Sequence, residues 1–129
     1  MAKPYSRKAG SQSEIPSIKL TKSNLLNVAG YQEYKIDRRK FKEIKFTHRL
    51  KYLIVRPYLL SQFRKRKLID IGCSAGVIGY QAILDGCEEV NFVDHDEEYI
   101  QIVKRVNEFL DNKAKDITCS PIGKFKKKY

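Results

Sequence analysis

The sequence predicts an α/β fold whose core is a parallel sheet in β-α-β-α-(β) order, preceded by a basic extension. Three observations carry that prediction. The apolar run Leu68-Ile69-Asp70-Ile71 ends in a glycine-rich turn, Gly72-Cys-Ser-Ala-Gly76, and helical spacing begins at once with Val77. A second run, Val90-Asn-Phe-Val93, ends in Asp94. An amphipathic stretch follows, with Ile100, Val103, Val106, Phe109 and Leu110 on one face. Short apolar runs joined through helical stripes read as buried strands linked by crossovers, and such crossovers make the strands parallel.

Each element has its own local signal. Residues 1–14 are Lys, Ser, Gly and Gln with little to bury, which predicts a disordered tail. Ile18 and Leu20 alternate weakly after Pro16, as a short edge strand or a loop would. Over 31–46 alternation returns around Tyr31, Tyr34, Ile36, Phe41, Ile44 and Phe46, which predicts a strand or irregular hairpin. From Thr47, placed as a cap, Leu50, Leu53 and Ile54 recur at helical spacing. Pro57 should break or kink that helix. Tyr58, Leu59, Leu60 and Phe63 then form a second short one, closed by Arg64-Lys-Arg-Lys67. After the turn, a helix over 77–84 has Gly86 placed to end it. The next helix spans about 96–110, and its first-turn acids Asp96, Glu97 and Glu98 suit the positive end of the helix dipole. Ile117-Thr-Cys119 begins a third strand before a lysine-rich tail. The expected division is a basic N-terminal extension over 1–46 and a partial parallel-sheet domain over 47–129.

Size and charge narrow the function. A chain of 129 residues is one domain and excludes a multidomain enzyme. Its net charge is +11, unevenly spread: residues 1–67 hold 18 Lys+Arg and 4 Asp+Glu, while residues 68–112 hold 2 and 10. A basic flank beside an acidic centre suggests a different partner for each. The lysine content also fits biased codon usage with no functional meaning, and both readings stand. No apolar run approaches the roughly 20 residues of a membrane span, and the start, Met1-Ala-Lys-Pro-Tyr, lacks a secretory signal. Cys73, Cys87 and Cys119 show neither zinc nor redox spacing and read as small core residues in a reducing, cytoplasmic setting. With two histidines and no clustered ligands, no metal site is expected; His48 reads as a helix-surface residue and His95 as a pocket-rim residue.

The turn and the acid after it point to a ribose-bearing cofactor. A strand that feeds a helix through glycines presents backbone N–H groups and a helix dipole at one sheet edge. Asp94 lies 22 residues after Gly72, near the spacing at which a second-strand acid accepts both ribose hydroxyls. Two plainer readings stay open: a merely tight turn at Gly72 and Gly76, and Asp94 as a helix N-cap. The glycines at 72, 76 and 79 are out of register for a dinucleotide pyrophosphate. Gly72-Cys-Ser74-Ala-Gly76 also spells the nucleophile elbow of serine hydrolases, but only His95 follows it and no room remains for that fold.

The run Asp70-Ile-Gly72-Cys-Ser74-Ala-Gly76 resembles the first motif of class I, Rossmann-like S-adenosylmethionine-dependent methyltransferases, acid-x-Gly-x-Gly-x-Gly. Val90 to Asp94 resembles the second motif. The resemblance covers about Lys67 to Leu110 and extends toward Tyr31, where a Tyr-Gln pair before an Arg-bearing helix is similar to the lead-in of small members. It implies S-adenosylmethionine as cofactor, with Gly72, Cys73, Ser74 and Gly76 lining the methionine part. Asp70 would support the amino group, Asp94 would hold the ribose, and His95 would stand at the rim. Ser74 departs from the family's glycine. The family's fold normally has seven strands, so the resemblance covers the cofactor-binding part only. The chain is then a truncated methyltransferase, a cofactor-binding remnant, or one half of a split enzyme whose fold a second chain completes. No acceptor motif is present, so no catalytic residue or target atom is assigned.

The basic flank supplies the acceptor hypothesis. Arg38, Arg39, Lys40 and Lys42, with Tyr5, Tyr31, Tyr34, Phe41 and Phe46 interleaved, could pair phosphates while rings stack on bases of RNA or single-stranded DNA. Lys126 to Lys128 would add a weaker contribution. The alternative is a non-catalytic, basic nucleic-acid-binding protein that keeps a Rossmann-like cofactor-binding remnant.

Overall fold

The structure, a computed structural model, describes residues 15–60 and 67–121. The tail at 1–14, Phe63, the run Arg64 to Arg66 and Lys126 to Lys128 lie outside them. The element order is β1 (Ser17–Leu20), β2 (Leu26–Ala29), β3 (Tyr34–Ile36), β4 (Phe41–Ile44), α1 (Phe46–Leu60), β5 (Lys67–Ile71), α2 (Val77–Leu84), β6 (Glu89–Asp94), α3 (Glu97–Phe109) and β7 (Asp116–Cys119). The second half is the predicted α/β unit. β5, β6 and β7 form a parallel sheet in that order, with α2 and α3 between the strands. Right-handed crossovers, the rule for such units, put both helices on one face of it.

α2 packs very close to the sheet. A Cβ added at Gly79 would stand 2.3 and 2.6 Å from ring carbons of Phe92 on β6. The helix ends in a Schellman motif: Gly86, at φ +97°, donates to the Ile83 carbonyl and Cys87 to that of Ala82. β6 is buried from Val90 to Asp94, as an apolar central strand requires. The expectation of a fully buried first strand is corrected, because β5 is only half-buried and Ile71 is 47% exposed. β5 has β6 alone as a strand neighbour among the described residues, so one edge is unpaired. Lys67 opens this strand instead of closing a helix.

Residues 17–44 form a second sheet, an antiparallel meander in the order β1-β2-β3-β4. Its inward residues Leu26, Val28, Tyr34 and Ile36 join the same buried cluster as Val77, Tyr80, Ile100 and Val103 of α2 and α3. The β3–β4 connection is an Asx turn, in which Asp37 Oδ1 accepts from the N–H groups of Arg39 (2.7 Å) and Lys40 (2.8 Å).

α1 departs from expectation in two ways. It is a single helix that runs through Pro57. The carbonyl that Pro57 leaves without a donor belongs to Leu53, which is 44% exposed and can turn to water. Its buried residues are His48 and Tyr52, while Phe46, Leu50, Ile54 and Tyr58 face outward. Polar anchoring decides this orientation. The Tyr52 hydroxyl donates to Asp85 Oδ2 (2.6 Å), and the His48 carbonyl accepts from Gln81 Nε2 (3.4 Å). Burial, with Lys51 and Lys45 nearby, pushes the His48 pKa down, against a smaller opposing pull from Glu33. Thr47 lies within the first turn; the Lys45 carbonyl takes the first helical N–H groups.

Candidate functional site

The glycine turn between β5 and α2 alternates through left-handed residues and is held by two acids, the buried Asp94 and the part-buried Asp70. Gly72 (φ +71°), Ser74 (φ +50°) and Gly76 (φ +84°) all have positive φ. A Cβ on Gly72 would meet nothing within 4 Å, so the space beside its backbone is open. A Cβ on Gly76 would lie 2.8 Å from the Tyr80 ring, so packing as well as conformation requires that glycine. Ser74 adopts the left-handed conformation although it carries a side chain, at a cost of about 1–2 kcal/mol.

Asp94, at the end of β6, secures the turn from the neighbouring strand. It is 5% exposed. Its Oδ2 accepts from the Ser74 N–H (2.8 Å) and its Oδ1 from the Asp96 N–H (2.9 Å). Asp96, not Asp94, caps α3 by accepting from the Glu98 N–H at 3.0 Å. Each Asp94 carboxylate oxygen therefore accepts one backbone N–H.

Asp70 does a cap's work from a distance. Gly76, at the N-cap of α2, has no side chain to offer, and Asp70 Oδ2 accepts from the Gly79 N–H at 3.1 Å. Burial pushes the Asp70 pKa up to about 6; the Gly79 hydrogen bond opposes this and the Asp94 charge adds to it. Cys73 is buried, and burial, then the Asp70 and Asp94 carboxylates, push its thiol well above the ordinary range. It is a core thiol and no nucleophile. Cys119 differs from the expected core role, being exposed with its Sγ 3.7 Å from the His95 carbonyl. The exposed His95 ring places Nδ1 3.5 Å from Asp94 Oδ1. Asp70, Gly72, Cys73, Ser74, Gly76, Asp94 and His95 thus gather at one edge of the parallel sheet.

Two participants were not read as site residues. Gln32 Oε1 accepts from the Val77 N–H (3.1 Å), the first of α2, and the Tyr34 hydroxyl donates to the Ala75 carbonyl (2.7 Å). The antiparallel sheet therefore completes the turn. Only the Tyr31-Gln32 pair of the sequence hinted at this.

The basic candidates are dispersed. Arg38 lies over the Phe109 ring at 4.7 Å, and Lys42 pairs with Asp37 at 3.6 Å. Arg39 and Lys40 are exposed and line a groove beside α1. Of the rings, Tyr31 and Phe46 are exposed. Tyr34 is buried, with Phe41 packed edge-on at 5.2 Å, so Tyr34 has no face left for a base.

No family model and no curated protein matches the chain. Among solved structures it is similar to a crystal structure from Pyrococcus horikoshii described as "a putative RNA methyltransferase", with 20% identity and a TM-score of 0.53. The match covers 68% of this chain and 43% of that one, so the chain spans less than half the length of that structure. The likeness is one of fold: an α/β fold like that of a methyltransferase. No described helix is long and apolar enough to cross a membrane.

Proposed function

We propose that the chain binds S-adenosylmethionine at the β5–α2 turn and serves as a methyltransferase, or as the cofactor-binding part of one, with RNA as the acceptor. The observation that carries this reading is the buried Asp94 carboxylate clamped to the Ser74 N–H. That contact sets a second-strand acid beside a glycine turn whose backbone at Gly72 faces open space. The residues fit the group. Gly72 leaves room for the methionine part against the backbone, Asp70 is an acid suited to its ammonium, and Asp94 is suited to the ribose hydroxyls. When bound, the cofactor would supply an electrophilic methyl on a sulfonium, and this chain's part would be positioning. The word RNA in the description of the Pyrococcus structure and the basic surface of this chain support that acceptor.

Calorimetry with S-adenosylhomocysteine tests the central claim. Heat and a thermal shift are expected; neither at millimolar ligand would remove it. The titration should also depend on pH. Because the folded Asp70 pKa stands near 6 against an ordinary 3.8, its contribution to stability falls as pH rises through that window and is lost above about 6. A ligand ammonium favours the ionised form, so affinity should rise through about pH 6. Asp70→Asn should flatten the profile. His95→Gln, next to Asp94, separates whatever share of the profile comes from that ring from the share due to Asp70.

A further inference from the structure

We infer that the groove between the β3–β4 turn and helices α1 and α2 is a docking site for the phosphate backbone of single-stranded RNA, an inference that rests on the RNA reading above. The groove has a volume of about 420 Å³, and its lining includes Arg39, Lys40, Arg49, Arg56, Tyr52 and Asp85. Arg39, Lys40 and Arg49 are exposed, and among the described residues none of them forms an ion pair. A second groove, of about 540 Å³, also includes Arg49, but its other cations are taken: Lys35 pairs with Glu43 at 3.5 Å and Lys45 with Glu33 at 3.9 Å. Of these two grooves, the one on the α1–α2 side therefore holds more cations without an ion pair.

The site is also preformed. The Asx turn fixes the backbone that carries Arg39 and Lys40. Arg56 donates from Nε to Asp85 Oδ2 at 2.6 Å, the same oxygen that takes the Tyr52 hydroxyl, so its guanidinium is fixed while its Nη groups stay available for an acceptor. Fixing these groups in advance lowers the entropy lost on binding. Arg49 and Arg56 are two helical turns apart, about 10 Å along the axis. Cations spaced along a groove suit a row of phosphates better than one small anion.

The groove lies at the C-terminal end of α2, at Gln81, Leu84 and Asp85, while the glycine turn lies at its N-terminal end. Eight residues of helix separate the two ends by about 12 Å. The groove therefore holds RNA away from the proposed reaction. At about 3.4 Å per stacked nucleotide, roughly four nucleotides must extend from the groove to reach the turn.

The test is fluorescence anisotropy of a labelled twelve-nucleotide oligouridine RNA with the full chain at about 50 and 200 mM salt. The variant Arg39→Ala/Lys40→Ala/Arg49→Ala should bind at least tenfold more weakly, with a flatter salt dependence. The charge-matched control Lys19→Ala/Lys22→Ala/Lys113→Ala, at exposed positions outside the groove, should change affinity less than twofold. All six positions are exposed, and matching melting curves will confirm folding. Equal losses in both variants would overturn the groove but leave RNA binding standing. Wild-type binding of an oligoglutamate peptide as tight as that of RNA would make the site one for acidic proteins. No RNA binding by the wild type at 50 mM salt would remove the acceptor reading as well, while S-adenosylhomocysteine calorimetry judges the cofactor reading independently.

Discussion

Gly79→Ala is expected to lower the melting temperature by about 8 °C. The added methyl would fall 2.3 Å from Phe92 Cε1 and 2.6 Å from its Cζ, with a Val90 methyl at 3.1 Å. The ring cannot simply move aside, since Tyr80 packs against it with centroids 4.6 Å apart and both residues are fully buried. Overpacking of this kind costs about 1–3 kcal/mol. A contact this short with a ring held in place puts the cost at the upper end, about 3 kcal/mol; alanine returns up to about 1 kcal/mol in helix propensity, which leaves a net loss of roughly 2 kcal/mol at about 4 °C each. Shortening the ring should rescue it. Phe92→Leu alone would destabilise the chain, but in the Gly79→Ala background it should recover part of the loss. Thermal unfolding of the four proteins checks this, and strict additivity would show that the two residues do not oppose each other.

Asp94→Ala should act on both stability and binding. It leaves the N–H groups of Ser74 and Asp96 without their acceptor, at about 1–3 kcal/mol for each that stays buried. If the carboxylate also takes ribose hydroxyls, affinity for S-adenosylhomocysteine should fall about ten- to a hundredfold, since hydrogen bonds to a charged group contribute about 1.5–3 kcal/mol. Calorimetry well below the melting transition separates the two effects. A folded Asp94→Ala protein with undiminished affinity would limit Asp94 to bracing the turn.

The parallel unit was legible because its signals are local. Leu68 to Gly76, Val90 to Asp94 and the stripe from Ile100 to Leu110 each state period and boundary within one element. The antiparallel meander was only partly legible. Its strands are three or four residues long, and alternation in Leu26, Val28, Tyr34 and Ile36 is interrupted by the turn at Gly30 (φ +137°). α1 misled for a different reason. Its most apolar stripe is not the one it buries, because Tyr52 and His48 find polar partners on α2 that periodicity cannot reveal. Similarly, the residues of the glycine turn could be named from the motif, but Gln32 and Tyr34 enter only through tertiary contact.

That last contact sets an order of assembly. Gln32 meets Val77 across 45 positions, and Tyr34 meets Ala75 across 41. Closing such loops costs entropy that helices α2 and α3 do not incur when they form. The turn thus gains its final rigidity only when the meander docks, however early the strands around it have paired. The Val77 amide then reports on that docking: its hydrogen-exchange protection measures the free energy that joins the two sheets, and it should fail before the amides at the centre of α3.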